Sequence, residues 1–369
     1  MTNPAQTVLD DSLLDDPARL AEADGAGLLR AAAMAGAQVR ATAEAAAELE
    51  LSERLDLGRP RCLVLVVRPG VSRSAALVLE ALLAHTSPVP VVISDLVPSW
   101  IGALDVVLAH TDDPYDHDLA TSLERAARYG STVVISAPPD GPVASSVAGR
   151  GLLIAPRVPV PPELAFPRAL AAGLLTANTL GLVVADIESL ADQLDNEAEK
   201  CHLGHESFVN PAKGLALRLA EHTPMLWGLD HIAVAVGHHA GHALAAHAAL
   251  VSDVADYRQA VARPALYRAA LEAAGNRDIF ADPDDDLAQG PPPRVLLLAV
   301  RTGPAADGAR FRTGEALPSA DVLAPADEIE ADDVGRAAVL ALRFELAAVY
   351  LGLAAGTIGG AGRAGQATA

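Results

Sequence analysis

The chain has 369 residues, a formal net charge of −20 at pH 7 and 51% hydrophobic residues, while only 3% of its residues are aromatic. At about 150 residues per domain, this length predicts two domains. The apolar content excludes intrinsic disorder as a class. The negative charge is the wrong sign for binding phosphate backbones or anionic membranes, so nucleic-acid and membrane-surface binding are excluded as main roles.

The cysteines and the N-terminal segment bear on where the protein works. Two cysteines do not make a disulfide framework, and Cys62, inside an apolar run, is expected in the core. The N-terminus lacks the basic start and apolar stretch of a signal peptide. The apolar stretch 169–184 is too short and too interrupted for a bilayer span, and it predicts a buried helix running into a strand. We expect a soluble, cytoplasmic protein without membrane association.

The first half of the chain begins with helix signals and continues with alternating strand and helix signals. An alanine- and leucine-rich stretch from Asp15 to Leu51 predicts a helical preface, in which Asp24 can cap a helix. Short apolar runs bounded by turn residues then predict strands buried on both faces. The predicted strands are 61–67, 89–94, 105–109, 132–136 and 151–155, and the predicted helices are 74–84, 118–129 and a long one from Arg168 onward. This alternation predicts a parallel sheet covered by helices.

A charged helix at 187–200 is predicted to connect this region to a second α/β lobe. In that lobe we predict strands at 224–226, 294–300 and 321–324, helices at 230–250 and 332–353, and an acidic surface loop at 277–293. The predicted domains are a helical preface (1–54), a first α/β domain (55–190), a linker (191–212), a second α/β domain (213–355) and a flexible tail (356–369).

Ligands of open parallel sheets bind beyond the carboxyl ends of the strands, which directs attention to the loops there. The loop after the first predicted strand, from Arg68 to Ser74, contains a glycine and two serines beside a helix start. Backbone N–H groups with the hydroxyls of Ser72 and Ser74 could cradle an anion. The alternative is plain helix capping, because serine is a preferred cap residue.

The loop after the third predicted strand, from His110 to Asp118, is strongly acidic, with four aspartates in seven residues. Such residues favour a helix N-terminus, and a capped, solvated turn is one interpretation. A phosphate about 5 Å from one of these charges would be repelled by roughly 3 kcal/mol at an effective dielectric of about 20. A more remote interpretation is a metal site that uses Asp112 and Asp116 with nearby histidines.

Two further features are candidates for a site. Arg168 begins a mostly apolar helix, where it acts either as an anion clamp or as a cation that extends to the surface. His231, His238 and His242 lie near one face of a predicted helix, and the last two could share a metal at i, i+4 spacing. Without a third ligand or an HExxH motif, a structural role is the main expectation, and no metal or cofactor is predicted.

The order of these segments resembles the two-domain sugar isomerase (SIS) family, in particular its phosphoglucose/phosphomannose isomerase branch. The stretch VVRPGVSRSAALVLEALL is similar to the family's glycine-rich first turn and puts Ser72 on the family serine. Pro167-Arg168 matches a Pro-Arg motif of the family, and residues 210–216 with 224–228 are similar to the start of its second lobe. Over most of the chain, the resemblance implies an α/β fold of two tandem SIS-type doubly wound parallel-sheet lobes with a helical preface, a sugar-phosphate ligand and a homodimer.

The chain departs from this family pattern at the positions that carry its chemistry. The family's hydroxyl-rich phosphate loop is replaced by His110–Asp118, the family glutamate has no clear match, and a lysine near the C-terminus is absent because Lys200 and Lys213 are the only lysines. Two functions stay open: an aldose–ketose isomerase for glucose, mannose or fructose 6-phosphate with a degenerate phosphate loop, or a catalytically inactive carbohydrate-binding, regulatory or assembly protein. Catalytic residues are unassigned, and the candidate binding residues are Ser72, Ser74, His110, Thr111, Asp112 and Arg168.

Overall fold

The computed structural model describes residues 9–55, 58–84, 86–275 and 291–359. They fall into two compact units. The central unit runs from Met34 to Asn196, and the split unit joins the N-terminal residues up to Ala33 with those from Glu197 onward. The predicted surface loop at 277–293, up to residue 290, and the predicted tail from residue 360 lie outside the described residues.

Parallel strands and α-helices build both units. The strands are β1 (Cys62–Val66), β2 (Val91–Ser94), β3 (Asp105–His110), β4 (Thr132–Ser136), β5 (Leu152–Ile154), β6 (Thr223–Gly228), β7 (Asp253–Asp256), β8 (Pro293–Leu298) and β9 (Asp321–Leu323). The helices are α1 (Pro17–Ala23), α2 (Leu28–Ala33), α3 (Ala35–Glu48), α4 (Leu51–Arg54), α5 (Val71–Leu83), α6 (His117–Arg128), α7 (Gly141–Val147), α8 (Phe166–Thr179), α9 (Ile187–Lys200), α10 (Pro211–Leu219), α11 (His231–Ala248), α12 (Tyr257–Val261), α13 (Pro264–Gly275), α14 (Pro304–Ala316) and α15 (Asp333–Ala354).

The central unit has a five-stranded parallel sheet in the order β2-β1-β3-β4-β5. Every residue of β1 and β3 is buried, as the continuous apolar runs predict for strands covered on both faces. One face packs against α6 and α7 through a core that includes Val64, Val107 and Leu123. Leu65 and Leu108 lie on the other face, beneath α5 and α8. The strand order reverses between β1 and β3, which opens a crevice at their carboxyl ends.

The split unit has a four-stranded parallel sheet in the order β7-β6-β8-β9. Its central helix α15 is buried along almost its whole length and packs against α10 and α11. Within the described residues, α15 is the one helix long and apolar enough to span a membrane by length and composition, and its most apolar window is entirely buried. This helix contains Arg343, whose buried guanidinium binds Glu197 and Glu328. In the structure, α15 is therefore the core helix of the split unit.

The predicted alternation of strands and helices is confirmed in the central unit, where all five predicted strands are present. Cys62 is 5% exposed, as expected for a core residue. The predicted preface is helical, but it is divided into four helices. The carboxylate of Asp24 accepts hydrogen bonds from the N–H groups of Leu28 and Leu29, so it caps α2 as predicted.

The strand predicted after the apolar helix of 169–184 was wrong. Helix α8 ends at Thr179, and no strand follows it between residues 180 and 184. Gly181 has a φ of 65°, a conformation that turns the chain out of the helix. The amide side chain of Asn178 then binds both the N–H and the carbonyl of Ala185. These bonds close a turn in place of a strand.

A glycine at the close approach of α15 to the end of α11 provides a test of the packing in the split unit. A Cβ at Gly352 would lie 2.3 Å from the carbonyl oxygen of His247, a backbone atom that cannot rotate away. We expect Gly352→Ala to lower the free energy of unfolding by about 1–3 kcal/mol. Gly314→Ala is the matched control, because a Cβ there meets nothing within 4 Å. Urea unfolding should show the control unchanged or slightly stabilised, and equal behaviour of the two variants would contradict this packing.

Candidate functional site

The crevice of the central unit lies where β1 and β3 end side by side. The loop that leaves β1 leads into α5, and the loop that leaves β3 leads into α6. Of the candidate binding residues, Ser72 and Ser74 lie at the start of α5, His110 ends β3, and Thr111 and Asp112 follow it. Arg168 belongs to the first turn of α8.

In the first loop, the hydroxyl of Ser72 forms a hydrogen bond with the backbone of Arg68. Helix α5 begins at Val71, three residues earlier than predicted. Gly70 has a φ of 91° and is the N-cap of α5, which has no side-chain cap. Helix capping by serine was therefore wrong, because both serines lie inside the helix. Ser72 Oγ accepts a hydrogen bond from the N–H of Arg68 at 3.1 Å, which leaves the hydroxyl hydrogen available to donate. Ser74 is buried.

The acidic loop is held in place by its own polar groups. The N–H of Thr111 donates to the carbonyl of Ser136 at 3.0 Å, and the Thr111 hydroxyl accepts from the N–H of Asp113 at 3.1 Å. Asp116 is the N-cap of α6 and accepts from the N–H of Leu119 at 2.9 Å. The interpretation as a capped turn is therefore correct for Asp116.

Asp112 differs from the other aspartates because its carboxylate contacts two buried side chains. One oxygen lies 3.2 Å from His110 Nε2, and the other accepts from Arg168 Nη2. The Arg168 side chain is only 7% exposed. Arg168 therefore does not extend to the surface, and the anion that its guanidinium binds is a carboxylate of the chain itself.

His110 links this ion pair to the neighbouring strand. Its Nδ1 lies 3.1 Å from the hydroxyl of Ser136, at the end of β4. Burial lowers the pKa of His110 below its usual value, and the contact with Asp112 opposes this shift only in part. Burial by itself raises the pKa of Asp112, but hydrogen bonds and charge from His110 and Arg168 more than offset it, so this pKa lies below its usual range. At neutral pH the imidazole is neutral and the carboxylate is charged.

A second ion pair crosses the same edge of the sheet. Arg68, just after β1, binds Asp116 in a bidentate manner, with Nε 2.5 Å from Oδ2 and Nη2 3.0 Å from Oδ1. The sequence indicated Asp116 as part of a capped turn or as a metal ligand, and it did not assign Arg68 or Ser136 to the site. The repulsion expected from the acidic loop also needs correction, because the charges of Asp112 and Asp116 are balanced by arginines.

A small open recess, with a cavity volume of about 20 Å³, lies beside these pairs, between α5 and α8. Ser72 and His110 are its two polar residues, and the rest of its lining is aliphatic or glycine. Small side chains keep it open, among them Ala76 on α5 and Gly173 on α8. Of the predicted site residues, the structure thus brings Ser72 and His110 to the recess and pairs Asp112 with Arg168 next to His110. Thr111 and Ser74 are buried but are not part of the lining.

The corresponding crevice of the split unit, between β6 and β8, is also occupied by a carboxylate of the chain. Asp230 caps α11 by accepting from the N–H of Ala233 at 2.9 Å. Its other oxygen accepts from the N–H groups of Val300 and Arg301 at 2.8 and 3.1 Å. The backbone donors at this strand end are therefore used internally.

The histidines of α11 do not form a recognisable metal centre. His239 is fully buried, and its Nε2 lies 3.1 Å from Glu345 on α15. Among the residues that the structure describes, no group of three or more histidine, cysteine or acidic side chains is arranged to hold a metal ion. Sequence reasoning had placed His239 off the face shared by His231, His238 and His242, and it had not found the contact with Glu345.

Comparison with solved structures finds similar proteins, whereas comparison with family models and curated proteins does not. No protein-family model matches the chain, and no curated protein matches it either. The C-terminal domain of glucosamine-fructose-6-phosphate aminotransferase from Francisella tularensis is similar, at 12% identity and a TM-score of 0.58, over 89% of this chain and 96% of that one. A Silicibacter pomeroyi protein with the provisional name phosphosugar isomerase is 15% identical, with a TM-score of 0.57 over 89% and 98% of the two chains.

A hypothetical protein from Thermus thermophilus is 14% identical, with a TM-score of 0.60 over 93% of this chain and 89% of that one. Identities this low show the fold alone. These matches confirm the expected α/β architecture with two parallel sheets.

The buried imidazole predicts a specific dependence of stability on pH. The pKa of His110 is lower in the folded chain than its ordinary value of 6.5, so the unfolded chain binds more protons just below pH 6.5. Stability should therefore fall as the pH decreases from about 7 towards 5, by at most about 1.4 kcal/mol per pH unit from this group.

Chemical denaturation at several pH values measures this contribution. We expect His110→Gln to reduce the slope between pH 7 and pH 5. His117→Gln, at an exposed position of the same loop, should keep the slope of the wild type. Identical slopes for wild type and His110→Gln would show that the imidazole is not held neutral by its surroundings.

Proposed function

We propose that this protein binds an uncharged sugar or sugar derivative at the opening of the recess of the central unit, as a non-catalytic member of the sugar isomerase fold. The observation that carries the proposal is the pairing of Arg168 with Asp112 beside the recess. A phosphate group entering there meets a guanidinium whose charge is already balanced. The recess itself offers the hydroxyl of Ser72 and an aliphatic wall, which suits sugar hydroxyls and C–H surfaces.

The sugar part of the proposal is supported by the similar structures and by the sequence resemblance. The names of two of them refer to a fructose-6-phosphate aminotransferase and to a phosphosugar isomerase. The resemblance to the phosphoglucose/phosphomannose isomerase branch belongs to the same proposal. Fold alone does not transfer an activity, so these names support only a sugar-type ligand, and the absence of a phosphate on that ligand is inferred from the site.

An aldose–ketose isomerase acting on a sugar phosphate is the second candidate. It is favoured by one observation, the neutral imidazole of His110 at the recess, because proton transfer between C1 and C2 requires a group that can accept a proton near neutral pH. Incubation with fructose 6-phosphate in deuterium oxide tests it directly. Deuterium at C2 of the aldose 6-phosphate that forms, absent with His110→Gln, would establish the isomerase and reject the non-catalytic function.

Two further properties belong to the proposal and rest on the sequence. We propose a homodimer, as the family resemblance implies, and a cytoplasmic location. Sedimentation measurements of the purified full chain test the first, and cell fractionation tests the second.

Blocking the recess tests the binding function. Ala76 is partly exposed and lines the recess, so Ala76→Leu should fill it without disturbing the core and reduce sugar affinity at least about tenfold, about 1.4 kcal/mol. Ala148→Leu, at an exposed position of the same unit, is the matched control and should bind like the wild type. Calorimetric titration with fructose and glucose provides the measurement. If Ala76→Leu binds as tightly as the control, the ligand lies elsewhere, and if no sugar binds the wild type, the function is wrong.

A further inference from the structure

Helix α5 begins at the crevice without a side-chain cap for its first N–H groups, and its N-cap is Gly70. Such N-terminal N–H groups favour anions. Arg168, in the first turn of α8, adds a guanidinium to this end of the sheet. This combination has the chemistry of a site for a phosphate-type anion.

The guanidinium of Arg168 is also incompletely satisfied. Its side chain is more than nine-tenths buried, and its Nε has no hydrogen-bond partner within the described part of the chain. One carboxylate oxygen of Asp112 contacts Nη2. A planar guanidinium can bind two oxygens in parallel, so the single contact with Asp112 leaves part of its binding capacity unused.

Asp112 is held in this position by the loop around it. Its neighbour Thr111 is anchored to Ser136 and to Asp113 through backbone and hydroxyl hydrogen bonds. Its second carboxylate oxygen contacts His110 Nε2 at 3.2 Å. The two residues before Asp112, His110 and Thr111, both form hydrogen bonds with Ser136 at the end of β4. The Asp112 carboxylate therefore has a fixed position in the crevice.

We propose that the Asp112 carboxylate acts as a built-in anionic ligand of Arg168 and makes Asp112 the residue that excludes phosphate-type anions from the crevice. This inference rests on the proposed function, because it specifies the sugar class that the recess accepts. Wild-type protein selects uncharged sugars. Removal of the carboxylate frees the guanidinium of Arg168, which then accepts a phosphate ester or free phosphate.

The test compares neutral and phosphorylated ligands on matched variants. Calorimetric titrations use fructose, fructose 6-phosphate and inorganic phosphate with the wild type, Asp112→Asn and Asp113→Asn. We expect the wild type to bind fructose 6-phosphate no more tightly than fructose. Asp112→Asn should gain about tenfold to a hundredfold in affinity for fructose 6-phosphate and for phosphate, with its fructose affinity unchanged. The two phosphate ligands distinguish an ester site from a site for the free ion.

Asp113→Asn controls for charge in general, because it removes one negative charge from the same loop without releasing an arginine. It should change affinities less than about threefold, which is well under 1.4 kcal/mol. The double variant Asp112→Asn/Arg168→Gln should lose the gain, which would assign the gain to Arg168. An equal gain in Asp113→Asn, or a gain that survives in the double variant, would overturn the proposal.

The outcomes separate this proposal from the proposed function. If fructose binds all variants and Asp112→Asn gains nothing for phosphate, the exclusion by Asp112 is wrong and sugar binding stands. If no variant binds fructose but Asp112→Asn binds phosphate, sugar binding is wrong and the exclusion stands. If Asp112→Asn folds poorly, the melting temperature of Asp112→Ser, measured with and without phosphate, replaces the titration, and phosphate should raise it. A melting temperature that phosphate does not raise would then reject the proposal.

Discussion

Carboxylates of the chain itself bind arginines at the carboxyl end of one sheet and backbone N–H groups at the carboxyl end of the other. In the central unit, Asp112 binds Arg168 and Asp116 binds Arg68, and in the split unit Asp230 accepts from three backbone N–H groups. Buried donors need partners, and in open parallel sheets a ligand often provides them at this place. Here the aspartates take that role, so each crevice is electrostatically balanced without a ligand.

This balance ties the stability of the central unit to its binding preference. A buried ion pair loses much of its Coulomb energy to desolvation, and it is favourable only when further hydrogen bonds support it. The Arg168–Asp112 pair has such support from His110, which is itself bonded to Ser136. The same carboxylate that compensates the buried guanidinium also occupies the place where an anion would bind it. Under the proposed function, selectivity for neutral ligands is therefore a consequence of the same pairing that compensates Arg168.

Much of the fold could be predicted from the sequence, because buried parallel strands are continuous apolar runs such as residues 61–67. The strand Asp253–Asp256 was missed because its sequence, DVAD, has no such run; Asp253 is held by a bidentate bond from Arg263. At the candidate site, the sequence indicated the loops that meet at the crevice, but not which aspartate contacts Arg168. That contact depends on hydrogen bonds to Ser136, which lies on another strand and is distant in the sequence. Charge counting along the loop thus predicted repulsion where the structure has ion pairs.

The hydrogen bonds of His110 also determine whether its imidazole can accept a proton from a substrate. A neutral imidazole has one N–H and one lone pair. The carboxylate of Asp112 can only accept, so the hydrogen belongs on Nε2, and the lone pair of Nδ1 then accepts from the hydroxyl of Ser136. Both ring nitrogens are thereby engaged, and the imidazole has no lone pair for a substrate proton unless the bond to Ser136 breaks. A binding function needs no such rearrangement, since the ring then serves as a fixed wall of the recess, and for this reason the geometry favours binding over isomerisation.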